Sequence, residues 1–172
     1  MKRKIILNLC TTLDSYIEGP NGEYDWCFTD QDYGMTEFLS RVDTIFFGRK
    51  SYEQLKSSAP DAFADKRAIV FSRTLKDGEN GLKVIGEDLE KEVSELLIQP
   101  GKDIWLFGGA SLVSTLLKMK VVDELMIAVH PLILGKGKPL FTGVDERIHL
   151  KLTDTKTYSS GLVQMFYEVN YQ

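Results

Sequence analysis

Three short apolar runs constrain this chain more than anything else in it. They are Thr44-Ile45-Phe46-Phe47-Gly48, Ala68-Ile69-Val70-Phe71 and Ile104-Trp105-Leu106-Phe107. Each is continuous rather than alternating and rich in β-branched or aromatic residues, the pattern of a strand buried on both faces. Each also gives way abruptly to small or polar residues. The followers are Arg49-Lys50-Ser51, Ser72-Arg73-Thr74 and Gly108-Gly109-Ala110-Ser111. A strand buried on both faces needs a helix packed over each, so the runs point to the α/β class.

The intervening segments supply those helices. Met35, Phe38, Leu39 and Val42 fall at i, i+3, i+4 and i+7, one face of an amphipathic helix, with Asp30 or Asp32 as its cap. Arg49 to Leu55 reads as a short helix. Leu89, Val93, Leu96 and Leu97 form a second stripe capped by Asp88, and Leu112, Val113, Leu116 and Leu117 form a third. Ile5–Cys10 is a first strand, Val84-Ile85 a short one ending at Gly86, and Glu124–Val129 another. Thr11–Thr29, with the turn Gly19-Pro20-Asn21-Gly22, and Pro131–Leu140 read as loops. Arg147–Tyr158 and Leu162–Tyr171 alternate and join at Ser159-Ser160-Gly161, an antiparallel hairpin. The expectation is one α/β domain over residues 1–172, with a mostly parallel sheet and a C-terminal antiparallel hairpin.

Composition narrows the function. Twenty-one basic against 25 acidic residues give −4, which argues against nucleic acid as a partner while allowing a local basic pocket. The apolar run at the start is broken at Asn8 and Thr11, too early for a signal sequence, and nothing approaches a membrane span. The reading is a cytoplasmic protein with no membrane partner. The two cysteines, Cys10 and Cys27, read as packing residues, and His130 and His149 lack ligand spacing, so no metal is expected.

In open α/β sheets ligands bind beyond the carboxyl ends of strands, where helix N-termini offer free N–H groups. Gly48-Arg49-Lys50-Ser51 combines a tight turn, two cations and a hydroxyl. Gly108-Gly109-Ala110-Ser111-Leu112 lets a diphosphate approach backbone without a Cβ in the way. Ser72 and Arg73 offer a hydroxyl and a planar guanidinium fork. Taken singly, each has a plain structural alternative: a capped helix with solvated cations, a common Gly-Gly turn, an ordinary turn. Taken together on one sheet rim, they suit a ligand with a diphosphate and a separate phosphate monoester, and NADPH is that ligand.

Several motifs in order carry a resemblance. They are Thr12-Leu13-Asp14-Ser15-Tyr16-Ile17, Phe47-Gly48-Arg49-Lys50-Ser51-Tyr52, Phe71-Ser72-Arg73-Thr74, Trp105 to Leu112, and His130-Pro131-Leu132-Ile133-Leu134-Gly135. The chain resembles the dihydrofolate reductase-like superfamily, and more closely the reductase domain of the bifunctional riboflavin-biosynthesis deaminase/reductase. That resemblance implies a three-layer α/β/α sandwich, an NADPH site and a homodimer. It implies that Gly48, Arg49, Lys50 and Ser51 contact cofactor phosphates. It likewise places Ser72 and Arg73 at the 2′-phosphate, and Gly108, Gly109, Ala110, Ser111 and Leu112 around the diphosphate. The family usually has Gly where Ser15 stands, a substitution that restricts the backbone near the substrate.

Two carboxylates are the catalytic candidates. Asp14 follows the first strand, and desolvation in a cleft is expected to raise its pKa and make it a proton donor; its alternative is a turn aspartate. Asp32 corresponds loosely to the helix carboxylate of dihydrofolate reductases, and helix capping is its favoured alternative. Tyr16, Trp26 and His130 are the substrate-side candidates, the two aromatics by stacking on a planar heterocycle or else by packing their loop. Lys136 and Lys138 either meet an anionic substrate or are solvated. The expected function is NADPH-dependent reduction of a small heterocyclic imine-type substrate, closest to 5-amino-6-(5-phosphoribosylamino)uracil reduction. The zinc motif of a linked deaminase does not occur. Dihydrofolate reduction and a non-catalytic NADPH-binding dimer are the alternatives.

Overall fold

The apolar runs form the spine of an eight-stranded sheet in the computed structural model, which describes residues 2–78 and 82–171. The elements in chain order are β1 (Ile5–Thr12), β2 (Tyr16–Glu18), α1 (Met35–Arg41), β3 (Val42–Gly48), α2 (Arg49–Ser58), β4 (Arg67–Phe71) and β5 (Lys83–Ile85). They continue with α3 (Leu89–Ile98), β6 (Asp103–Gly108), α4 (Ala110–Lys118), β7 (Glu124–His130), β8 (Lys138–Pro139), β9 (His149–Thr157) and β10 (Val163–Asn170). The large sheet runs β5-β4-β3-β6-β1-β7-β10-β9. Its first six strands are mutually parallel, and β10 pairs antiparallel with both β7 and β9. The expected α/β fold with its terminal hairpin is what forms.

Side-chain alternation along the strands builds the two core layers. Ile45 and Phe47 of β3, Ile6 of β1 and Trp105 of β6 face α1 and α2, where they meet Phe38, Met35, Leu39 and Leu55. Phe46, Ile5, Leu7, Ile104 and Leu106 face the other way and pack on Val93, Leu96 and Leu97 of α3 and Val113, Leu116 and Leu117 of α4. Both faces of the strands are therefore dry, as the continuous runs require. Arg3 fastens the lower edge: buried, it donates to Lys102 O at 2.6 Å and Thr44 Oγ1 at 2.7 Å and pairs with Asp43.

Three local expectations are corrected. Val42 is not the last residue of the α1 stripe but the first of β3, because its side chain is fully buried in the sheet layer. Asp88 stands at the N-cap of α3 with φ 48, and its carboxylate makes no cap hydrogen bond. The two segments read as loops meet instead, β2 pairing antiparallel with β8 in a small second sheet. Gly137 permits that approach, since a Cβ there would stand 2.2 Å from Glu18 O. Among the described residues no helix is long and apolar enough to cross a membrane.

Candidate active site

Parallel pairing puts the carboxyl ends of the strands along one rim. The registers Gly48↔Phe71, Phe47↔Gly108 and Phe71↔Ile85 bring the ends of β3, β4, β5 and β6 side by side. A cleft of ≈ 510 Å³ opens there. Its wall includes Gly48, Arg49, Lys50 and Ser51 from the first junction, Ser72 and Arg73 from the second, and Gly109, Ser111 and Leu112 from the third. Three stretches separated by up to sixty residues thus share one concavity. Gly108 and Ala110, read as cradle residues, are instead buried and take no part in the wall.

The cleft is built for anions. The helices α2 and α4 begin at Gly48 and Gly109, with no side-chain cap and no acidic residue in the first turn. Their first N–H groups and positive dipole ends are left for a ligand. Helix α3, by contrast, carries Glu90 and Glu92 in its first turn. The first and third junctions lie side by side, since a Cβ at Gly48 would meet Gly108 O and Gly109 N at 3.4 Å, ordinary contact distance. Ser72 Oγ accepts from the Thr74 and Leu75 amides at 3.1 Å, which fixes the turn presenting the exposed Arg73. Arg49 is shared with Glu53, one turn along α2, at 2.9 and 3.0 Å.

The candidate acids behave differently from expectation. Asp14 is half-buried, and its carboxyl is pushed down to about 2, first by the Thr12 hydroxyl and then by the Gly135 and Leu134 amides. Those bonds measure 2.6, 2.8 and 3.1 Å. The group expected to be a proton donor is a carboxylate that ties the β1–β2 turn to the segment after β7. Asp32 is also held below the ordinary carboxylate range, chiefly by Thr36, whose hydroxyl and amide donate to it at 2.7 and 3.0 Å. It caps α1. Ser15 takes φ 66, the left-handed conformation for which a glycine is ordinarily used.

The substrate-side candidates divide. Tyr16 lies on β2, packed against Gly137, and its amide donates to Thr12 Oγ1 at 3.1 Å. His130, read as reaching the rim, is instead only 1% exposed. Its Nε2 accepts the Phe28 amide at 3.0 Å while Nδ1 lies 3.3 Å from Ala128 O. Burial holds its pKa below the usual imidazole value, so the ring is neutral. Trp26 and Phe28 pack edge-on against it at centroid distances of 5.3 and 4.8 Å. Packing of the loop, the alternative given for Trp26, is the arrangement observed.

Comparison with known proteins fits this geometry. The RibD C-terminal domain profile matches residues 3–164. The chain belongs to the RibD C-terminal domain family. Over 98% of its length and 96% of the relative's it is 46% identical to YyaP of Bacillus subtilis (strain 168), an uncharacterized protein. A crystal structure from Shewanella sp. PV-4, provisionally described as a riboflavin biosynthesis protein, superposes with TM-score 0.87 at 23% identity. That match covers 99% of this chain and all of the other. The diaminohydroxyphosphoribosylaminopyrimidine deaminase/5-amino-6-(5-phosphoribosylamino)uracil reductase of Thermotoga maritima matches with TM-score 0.73 at 16% identity, over 97% of this chain and 56% of that one. At these identities the two structures carry the fold.

This RibD C-terminal domain also brings Lys138, left open between an anion contact and a solvated side chain, to the cleft, and adds wall residues that sequence reasoning missed. Lys138 reaches the cleft from β8, its Nζ paired with Glu18 at 3.1 Å and standing 3.5 Å from where a Gly109 Cβ would be. Ile85, Gly86, Leu89 and Thr115 complete the wall. Gly86 is required for closeness, since a Cβ there would lie 2.8 Å from Ser72 O. Cys10, Cys27 and His130, read as unrelated and without metal-ligand spacing, in fact come together.

Proposed function

We propose that this domain is an NADPH-dependent reductase of a small heterocyclic imine-type substrate, closest in chemistry to 5-amino-6-(5-phosphoribosylamino)uracil reduction. The observation that carries the reading is the single cleft walled by all three strand-to-helix junctions. The first-turn N–H groups of α2 and α4 hold the diphosphate, and Ser72 and Arg73 hold the ribose 2′-phosphate. Lys138 adds a cation beside Gly109. Ile85 and Leu89 give one end of the cleft an apolar wall. When bound, NADPH supplies the hydride; the chain contributes binding, orientation and exclusion of water.

Proton delivery is the second half of such a reduction. Asp14 and Asp32 are both held ionised at neutral pH by the groups that donate to them, so under this reading the proton comes from water rather than a carboxylic acid. The Asp32 carboxylate is engaged by the Thr36 amide and hydroxyl, which disfavours it as a pteridine ligand and so disfavours dihydrofolate reduction. The same observation favours one second reading, a non-catalytic NADPH-binding module. The proposal includes a homodimer: β9 lies at the sheet edge with Leu150 and Leu152 exposed, and sedimentation velocity checks the assembly.

Titrating NADPH by its fluorescence and then following its oxidation over a panel of aminopyrimidines and pterins tests these readings. Saturable binding with turnover on an aminopyrimidine supports the reductase. Binding with no turnover on any substrate supports the module. Absence of saturable binding overturns both.

A further inference from the structure

The carboxyl ends of β1 and β7 carry a cluster that the cofactor cleft does not use. The sulfurs of Cys10 and Cys27 and a ring nitrogen of His130 all lie within 4.8 Å of one another. Parallel pairing of β1 with β7, with Cys10 opposite Ala128 and Thr12 opposite His130, sets two of the three on one face of the sheet. The third comes from the segment between Gly19 and Gly34, where Cys27 stands between Trp26 and Phe28. Both cysteines are free thiols and half-buried.

We propose that Cys10, Cys27 and His130 form a site for one thiophilic d10 cation of the Zn²⁺ class, which fastens the Trp26 loop onto the ends of β1 and β7. Cysteine sulfur and histidine nitrogen are the ligands zinc takes, at about 2.3 Å and about 2.0–2.1 Å. Ligand atoms of a tetrahedral site therefore lie about 3.5–3.8 Å apart, and those here, all within 4.8 Å, need to close by about 1.3 Å at most. Each thiol surrenders its proton to solvent as its sulfur–metal bond forms, and nothing is oxidised or reduced. Two thiolates, a neutral imidazole and a divalent ion sum to zero charge, which suits a mostly buried position.

The surroundings agree. His130 Nδ1 faces the Ala128 carbonyl, the outer contact that leaves the Nε2 lone pair available to an ion. The Phe28 amide holds that lone pair at 3.0 Å, so binding exchanges one backbone hydrogen bond for a metal–nitrogen bond. The Trp26 indole N–H, on the same loop, is buried with no acceptor among the described residues.

The experiment uses the full chain, reduced with a phosphine and stripped with a chelator. Cd²⁺ is titrated while the thiolate-to-cadmium ultraviolet band is followed, and Zn²⁺ is titrated while thermal melting and proton release are followed. The site predicts saturation at one ion per chain, about two protons released per Zn²⁺ and a rising melting temperature. Cys10→Ser and Cys27→Ser should each abolish the band, and His130→Gln should weaken binding at least tenfold. Protection of both thiols from iodoacetamide by Zn²⁺ checks the same claim without any variant. Absence of one-to-one binding by the reduced wild type overturns the proposal. So does undiminished binding by Cys10→Ser, or alkylation that Zn²⁺ does not slow.

Discussion

Replacing Gly109 with alanine adds one methyl group to the cleft wall. The backbone there has φ −83 and ψ −166, open to any L residue. The nearest atoms to the new Cβ are Ser51 Oγ at 3.4 Å and Lys138 Nζ at 3.5 Å, ordinary contacts that demand no rearrangement. Folding stability should therefore hold, or rise by about 0.4–1 kcal/mol because the unfolded chain loses freedom. Binding should not hold. A phosphate oxygen must come within about 2.7–3.2 Å of an amide nitrogen to be bound, and the methyl stands where it approaches the start of α4. Losing one charge-assisted hydrogen bond amounts to about 1.5–3 kcal/mol, or about 10- to 150-fold in NADPH affinity. Fluorescence titration and thermal melting of the same preparation read the two effects separately. Wild-type affinity in Gly109→Ala would refute the diphosphate assignment, and a lowered melting temperature would refute the local geometry. Gly86→Ala is the contrasting case, since its Cβ would sit 2.8 Å from Ser72 O and should destabilise the fold itself.

Other expectations can be checked alongside. Arg73→Ala should weaken NADPH by about 1–3 kcal/mol and leave NADH nearly unchanged; equal losses in the two titrations would move Arg73 away from the 2′-phosphate. Ser15→Gly should stabilise the protein by roughly 0.5–1 kcal/mol, because relief of the left-handed strain at φ 66 outweighs glycine's greater unfolded entropy; a fall in melting temperature would contradict this. The Asp14 carboxyl has a depressed pKa, so its contribution is present above its ordinary value of 3.8 and disappears as pH falls toward about 2. The amide resonances of Leu134 and Gly135 should titrate with a midpoint near that lower value, and Asp14→Asn should remove the titration.

The parts of this molecule legible in the sequence are those decided by neighbours in the chain. Phe46 and its flanking Ile45 and Phe47 announce a strand buried on both faces because strand geometry alternates their directions. The cleft was legible for the same reason, since each junction follows such a strand directly. The missed features depend on partners remote in sequence. Of the groups that hold the Asp14 carboxyl low, the Thr12 hydroxyl is local, but the Leu134 and Gly135 amides lie 120 and 121 residues away and gave no signal in the sequence. Lys138 was a candidate left open between ligand and solvent; what the sequence hid is the β8–β2 pairing that carries it to the cleft, because two residues of strand leave no periodic signature. Cys10 and His130 are joined by strand pairing, and nothing in their spacing announces it. Their common position at the ends of two strands was the available signal.

The place of β1 in the sheet has a consequence for synthesis. Within this domain β1 precedes both strands that flank it in the sheet, β6 on one side and β7 on the other. Residues 5–12 therefore leave the ribosome with a hydrophobic sequence and no docking slot until roughly a hundred more residues have followed. Such long-range closure slows folding, and it makes the nascent β1 segment a natural client for a chaperone.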